Sequence, residues 1–125
     1  MMLIKTHKEL DVYKLSFQAA MTIFNISKSF PKEETYSMTD QIRRSSRSVS
    51  ANLAESFRKR RYPKHFVSKL SDCEAEAAET QVWLDFALAC GYINETIHAE
   101  IYEKYDWVLG KLVNMMKSPE KWKTL

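Results

Sequence analysis

The side chains with the most chemistry to offer lie in "QIRRSSRSVSANLAESFRKRRYPKHF", Gln41 to Phe66. Arg43, Arg44, Arg47, Arg58, Lys59, Arg60, Arg61 and Lys64 share it with five serines and one acid, Glu55. Six of these eight cations are arginine, whose planar guanidinium matches the spacing of phosphate oxygens. Tyr62 stands at the end of the run, where its ring could stack on an unpaired base. Contact with RNA or DNA is therefore one reading. A helix-dipole role for "RKRR" would be satisfied by one or two charges. "RRSSRS" also has the look of a kinase target.

The second reading keeps the charge inside the protein. Asp72, Glu74, Glu76, Glu79, Asp85, Glu95, Glu100, Glu103 and Asp106 follow, with Lys104 as the single base among them. The block from Gln41 to Lys64 thus carries +7 and that from Asp72 to Asp106 carries −8, beneath a net charge of only +3. The two blocks either neutralise each other within one fold or meet across subunits.

Other chemistry is thin. The chain has no GxSxG, P-loop, GxGxxG or HExxH motif. "ETIH", Glu95 to His98, is a Glu-x-x-His, but a di-iron bundle needs a second copy and two further inward glutamates. Glu95 is explained as a first-turn carboxylate. No metal site, cofactor or catalytic residue is expected, and an enzyme is not the reading adopted. Cys73 and Cys90 lack ligand spacing and read as reduced, packed thiols. The apolar runs are far short of a membrane span, and "MMLIKTHKEL" has no signal-peptide core, so a cytoplasmic protein is expected.

The elements that must position these residues are helices. A chain of 125 residues suits a single domain, and two Gly and three Pro leave little turn material for a sheet. The prolines punctuate it. Helices are predicted over about 9–29, 38–61, 63–90 and 94–118, with Ser37 or Thr39 and Asn94 as N-caps and Gly91 as a C-terminal stop. Short connections imply antiparallel neighbours, hence an all-α, up-down four-helix bundle. Helix three repeats apolar residues at Phe66, Leu70, Cys73, Ala77, Leu84 and Leu88, and helix four at Ile97, Ile101, Val108, Leu112 and Met115. Both read as single core stripes.

Helix one is apolar on two sides. Leu10, Tyr13, Phe17, Ala20, Met21 and Phe24 form one arc; Val12, Leu15, Ala19, Ile23 and Ile26 form the other. The second arc is expected to be a subunit interface. On helix two, Met38, Ile42, Val49, Leu53 and Phe57 form an apolar arc, with Arg43, Arg47, Arg58 and Arg61 in line beside it. Ser45 and Ser46 fall near the apolar arc; Ser48 and Ser50 fall elsewhere.

Three stretches, "DVYKLSFQAA", "SFPKEETYSMTDQIRRSSRSVSANLAES" and "EAAETQVWLDFALACGYI", resemble the four-helix-bundle proteins encoded in intervening sequences of bacterial 23S ribosomal RNA genes. The most specific parts are Phe30-Pro31, Glu34, Gln41-Ile42-Arg43-Arg44, Asn52-Leu53-Ala54-Glu55, Glu79-Thr80-Gln81 and Gly91-Tyr92. Ser56 stands where many members have Gly, and "RKRRYPKHF" is more basic than the general pattern. The resemblance implies a bundle that assembles into a pentamer. It also implies kinship with the accessory proteins of diversity-generating retroelements, which bind nucleic acid and a reverse transcriptase. Arg43 and Arg44 carry over as contact residues; Arg58 to Lys64 rest on the charge pattern alone.

Overall fold

A computed structural model describes residues 4–123. Four helices carry most of it: α1 Asp11–Ser27, α2 Met38–Arg58, α3 Pro63–Ala89 and α4 Glu95–Lys117. Short 3-10 helices at His7–Glu9, Lys32–Glu34 and Pro119–Trp122 flank them. No strand occurs among the described residues.

Each boundary has a local cause. Glu34 caps α2: its Oε1 accepts from the Ser37 hydroxyl at 2.6 Å and the Met38 N–H at 3.4 Å. Ser37 is the N-cap residue, but its own side chain caps no backbone group. Pro63 opens α3, where a missing N–H costs nothing. Gly91, at φ +77°, closes it; Tyr92 N–H reaches Ala87 O and Gly91 N–H reaches Leu88 O, the paired bonds of a Schellman motif. The Asn94 side chain accepts from Ile97 N–H at 2.8 Å and caps α4.

Helix two ends three residues before its predicted limit. Tyr62 N–H bonds to Lys59 O in a turn, and Tyr62 is extended at φ −117°, ψ 90°. A residue before proline is pushed out of the helical region, so the reversal into α3 consumes Lys59, Arg60 and Arg61.

α1 packs on α2 and α4, and α3 packs on the same two, so α1 and α3 stand diagonally. Ser16 meets Ser50 and Ser27 meets Arg43; Arg44 meets Glu79 and Glu55 meets Lys69; Gln81 meets Asp106 and Asp85 meets His98. Position rises along one helix as it falls along the next. The core holds Ile23, Ile42, Leu53, Phe57, Phe66, Leu70, Leu84, Ile101, Tyr105 and Leu112, all fully buried or nearly so. Each such side chain contributes about 1.5–3 kcal/mol of burial.

A polar layer runs through this core. The Ser16 and Ser50 hydroxyls lie 2.9 Å apart, as do those of Thr80 and Ser45. Small side chains there let α1 and α3 approach α2 closely. Ser50, which the helical projection set apart from the apolar arc, is one of them. Ser45 and Ser46 are fully buried, so neither is presented to a kinase, whereas Ser48 of "RRSSRS" is half-buried at the groove.

The apolar faces correct two expectations. Val12, Ala19 and Ile23, assigned to a subunit interface, are buried in the chain's own core, and Leu15 and Ile26 are half-buried against it. The outward side of α1 carries Phe17 and Met21 of the other arc, 50% and 45% exposed, while Leu10 and Ala20 of that arc are buried. The reason is width: beside the Ser16–Ser50 contact there is room for Val12, Ala19 and Ile23 but not for the ring of Phe17. Helix three is likewise not a single stripe. Val82 and Phe86, one turn apart, are 49% and 51% exposed on its outer side.

Candidate nucleic-acid interface

α2 positions the predicted basic residues as two clusters rather than one line. Arg43, Arg44 and Arg47 lie in its first half, and Arg58 ends it. Arg47 and Arg58 are about 16 Å apart along the axis at 1.5 Å per residue. Lys59, Arg60, Arg61, Tyr62 and Lys64 gather at the turn into α3.

In the first cluster adjacent arginines have different fates. Arg44 donates from Nη2 to Glu79 at 2.8 Å and from Nη1 to Glu76 at 3.3 Å. Partial burial opposes its charge, but the bond and charge of Glu79, then those of Glu76, outweigh this and raise its pKa. Arg44 is therefore an internal strut between α2 and α3, and part of the basic block is neutralised within one chain. Arg43 and Arg47 instead lie over the ring of Phe24, with guanidinium carbons 4.8 and 5.6 Å from its centroid. Cation–π contact and a 2.8 Å bond from Arg43 Nε to Ser27 Oγ hold that pair. They wall an open concavity of about 500 Å³ with Thr35, Thr39, Asp40, Arg44 and Ser48.

At the turn, Arg60 folds back. Its guanidinium stacks 3.7 Å from the Phe57 centroid and its Nη1 donates to Phe57 O at 2.6 Å. This is one cation closing the C-terminus of α2, as the dipole requires. Arg58, Lys59, Arg61 and Lys64 are exposed, and Tyr62 is 58% exposed. Among the described residues, no acid lies within 4 Å of Arg43, Arg47, Arg58, Lys59, Arg60, Arg61 or Lys64.

Three contributors escaped the sequence reading. Phe24, the platform for Arg43 and Arg47, looked like one member of an apolar arc. Tyr36, 93% exposed, follows Thr35 at the opposite end of α2 from Tyr62. Lys123 reaches the turn only through the fold. An aromatic in a polar loop was a legible signal for Tyr36; the others had none.

The remaining sequence candidates are pairings. His98 Nε2 lies 2.7 Å from Asp85 Oδ1 and stacks on Tyr102, while Glu95 is exposed at the start of α4. No cluster of three or more metal-ligating side chains forms among the described residues. Cys73 is buried, which pushes its thiol up to about 12, and Cys90 is exposed; both are free. No helix among the described residues is long and apolar enough to cross a membrane.

Residues 8–114 match the family described as 23S rRNA-intervening sequence protein. The chain belongs to that family. The crystal structure of a protein with unknown function from the S23 ribosomal protein family of Bacteroides thetaiotaomicron is similar to it. Identity is 28%, with 85% of this chain and 98% of that one covered at a TM-score of 0.76. No curated protein matches.

The motifs that carry the family resemblance are largely joints of this fold. Tyr92 donates to Glu34 Oε2 at 2.8 Å and its ring lies 5.5 Å from that of Phe30. Phe30-Pro31, Glu34 and Gly91-Tyr92 thus converge on one corner. Arg44 pairs with Glu79, Ser45 with Thr80, and Gln81 donates to Asp106 at 2.8 Å. Of the two arginines carried over from the family motif, Arg44 is a strut and Arg43 faces the groove.

Proposed function

We propose that the protein is a non-enzymatic, ring-forming helical bundle of the antiparallel up-down type that binds RNA or DNA. Arg43 and Arg47 in the groove, and Arg58 to Lys64 with Tyr62 at the turn, make the contact. The observation that carries this reading is the division of labour among the arginines. Arg44 is paired with acids of its own chain, whereas Arg43 and Arg47 are held on Phe24 in an open groove and, among the described residues, form no ion pair, although Asp40 also lines that groove. Guanidinium groups preorganised in that way suit phosphate oxygens. Free cysteines suit a reducing, cytoplasmic setting.

Ring formation draws support from the apolar faces. Phe17 and Met21 on α1, and Val82 and Phe86 on α3, are unlike patches on diagonal helices. A contact between unlike surfaces is heterologous and closes into a ring when its rotation permits. A pentamer and a reverse transcriptase partner are part of the proposal through the family resemblance alone. The second reading, a structural adaptor whose arginines pair with acids of a neighbouring subunit, draws on the same faces.

A salt titration tests the first reading. With about four phosphates neutralised per subunit, log affinity should fall against log salt with a slope near −3 to −4. Arg43→Glu with Arg47→Glu should abolish retention on nucleic acid and leave the oligomer mass unchanged. A fall in mass would favour the adaptor. Absence of salt-sensitive binding by the wild-type protein at about 50 mM salt, where such contacts are strong, would refute the nucleic-acid reading.

A further inference from the structure

The α2–α3 turn and the C-terminal segment meet at one end of the molecule. Trp122 lies 6.4 Å, ring to ring, from Phe66, and Pro119–Trp122 packs on α3. Lys123 is thereby brought beside Arg58, Arg60 and Arg61. These four cations line one concavity of about 130 Å³, and among the described residues its wall holds no acid and no apolar side chain.

Like charges gathered in one wall repel one another. Burial and then the charges of Arg58 and Arg61 push the Arg60 pKa below its usual value. Arg60 cannot swing away, because Phe57 holds its guanidinium by stacking and its carbonyl holds Nη1. Dipole complementarity accounts for Arg60 on Phe57 O but leaves Arg58, Arg61 and Lys123 without that use.

We propose that this pocket takes a terminal phosphate, the phosphomonoester dianion at the end of an RNA or DNA strand. The inference rests on the nucleic-acid reading above. A monoester carries a second negative charge above pH about 6 and three free oxygens; a diester in the backbone carries one charge. Cations that converge on one point suit the monoester, whereas a backbone track needs them strung along a groove. The concavity, about 130 Å³ against about 500 Å³ for the α2 groove, holds a phosphate group but no nucleoside. Tyr62, beside Arg61 and exposed, offers its ring to the terminal base. Inorganic phosphate has the same chemistry and is the other source of such an anion.

The test uses the full-length protein and one single-stranded oligonucleotide, labelled at its 3′ end and carrying either a 5′-phosphate or a 5′-hydroxyl. By fluorescence anisotropy the phosphorylated strand should bind roughly tenfold tighter at neutral pH, the scale of one added charged hydrogen bond. That advantage should fade as pH drops below about 6, where the second phosphate charge is lost. Lys123→Ala should remove it while the hydroxyl-ended strand keeps its affinity, and Lys123→Arg should restore it. Inorganic phosphate, titrated calorimetrically into wild type and Lys123→Ala, forms the second arm. Lys123-dependent binding of phosphate with no advantage for the phosphorylated strand assigns the pocket to the free anion. Equal binding of both strands together with no phosphate binding overturns the inference and leaves the nucleic-acid reading standing. Failure of either strand to bind overturns that reading instead, and the calorimetric arm then decides the pocket alone. A lower oligomer mass for Lys123→Ala shows a second copy's carboxylate in the pocket and overturns the inference.

Discussion

The two ends of the molecule solve opposite problems. At one end the loops after α1 and α3 close on each other: Tyr92 donates to Glu34, Ser37 donates to the same carboxylate, and Phe30 covers the ring. Every polar group named there finds a partner. At the other end the α2–α3 turn and the C-terminal segment gather Arg58, Arg60, Arg61 and Lys123, with no counter-charge in the pocket wall among the described residues. The first arrangement stabilises the fold and has nothing left to bind. The second strains against its own charge and is relieved by an anion from outside. Satisfied polar groups mark architecture, and concentrated like charge marks a surface whose partner is another molecule.

Four changes break or sharpen that contrast, beginning with the largest. Arg58→Glu with Arg61→Glu should weaken nucleic-acid binding by about a hundredfold at low salt, because two phosphate contacts become repulsions. Circular dichroism of the double variant should show unchanged helicity and an equal or higher Tm, since the repulsion at the corner is relieved. A fall in Tm would mean that those arginines support the fold.

At the opposite end, Gly91→Ala should destabilise by about 1–2 kcal/mol, the cost of a side chain in the left-handed region. Apart from its chain neighbours, no described residue lies within 4 Å of the added Cβ, so the loss is conformational rather than steric. Chemical denaturation measures it, and nucleic-acid affinity should not move.

A smaller effect separates Glu34 from the basic corner by pH. The Ser37 hydroxyl, then that of Tyr92, holds the Glu34 carboxyl below its ordinary value of 4.5. Its stabilisation is present above that value and is lost as pH falls through the lowered pKa. The bond to Glu34 pushes Tyr92 up to about 12, so its contribution is full below 10 and is lost as pH rises through about 12. Glu34→Gln should therefore lower Tm at pH 7 and flatten the decline in Tm as pH falls below the ordinary value of 4.5. An unchanged acid limb would assign that decline to other carboxylates.

The smallest effect is in the core. The Tyr105 hydroxyl is buried without a hydrogen-bond partner among the described residues. Tyr105→Phe should change stability by less than about 0.5 kcal/mol or raise it, because nothing is left unpaired. A loss above about 1 kcal/mol by denaturation would show that the hydroxyl is bonded after all.

Much of this was legible in the residue order. The three prolines, Gly91 and Asn94 placed the helix ends because each acts on the backbone within a turn of itself. The core positions Ile42, Val49, Leu53, Phe57, Phe66, Leu70 and Leu84 followed from a 3.6-residue period, a property of one helix. The basic corner was visible as composition. What periodicity could not say is which of two apolar arcs points inward, since a helix alone has no inside. For α1 the neighbour decided: Ser50 on α2 met Ser16 on its inner side, and Phe17 and Met21 turned outward. Nor could it say which arginines were already spent. Arg43 and Arg44 are adjacent in sequence and indistinguishable in type, but 100° of rotation sends one toward Glu79 and the other toward Phe24. Lys123 joined the corner because Trp122 packs on Phe66. Local order thus determined where helices begin, end and turn, while charge partnership, the choice of outward face and the anion pocket came from contacts between residues far apart in the chain.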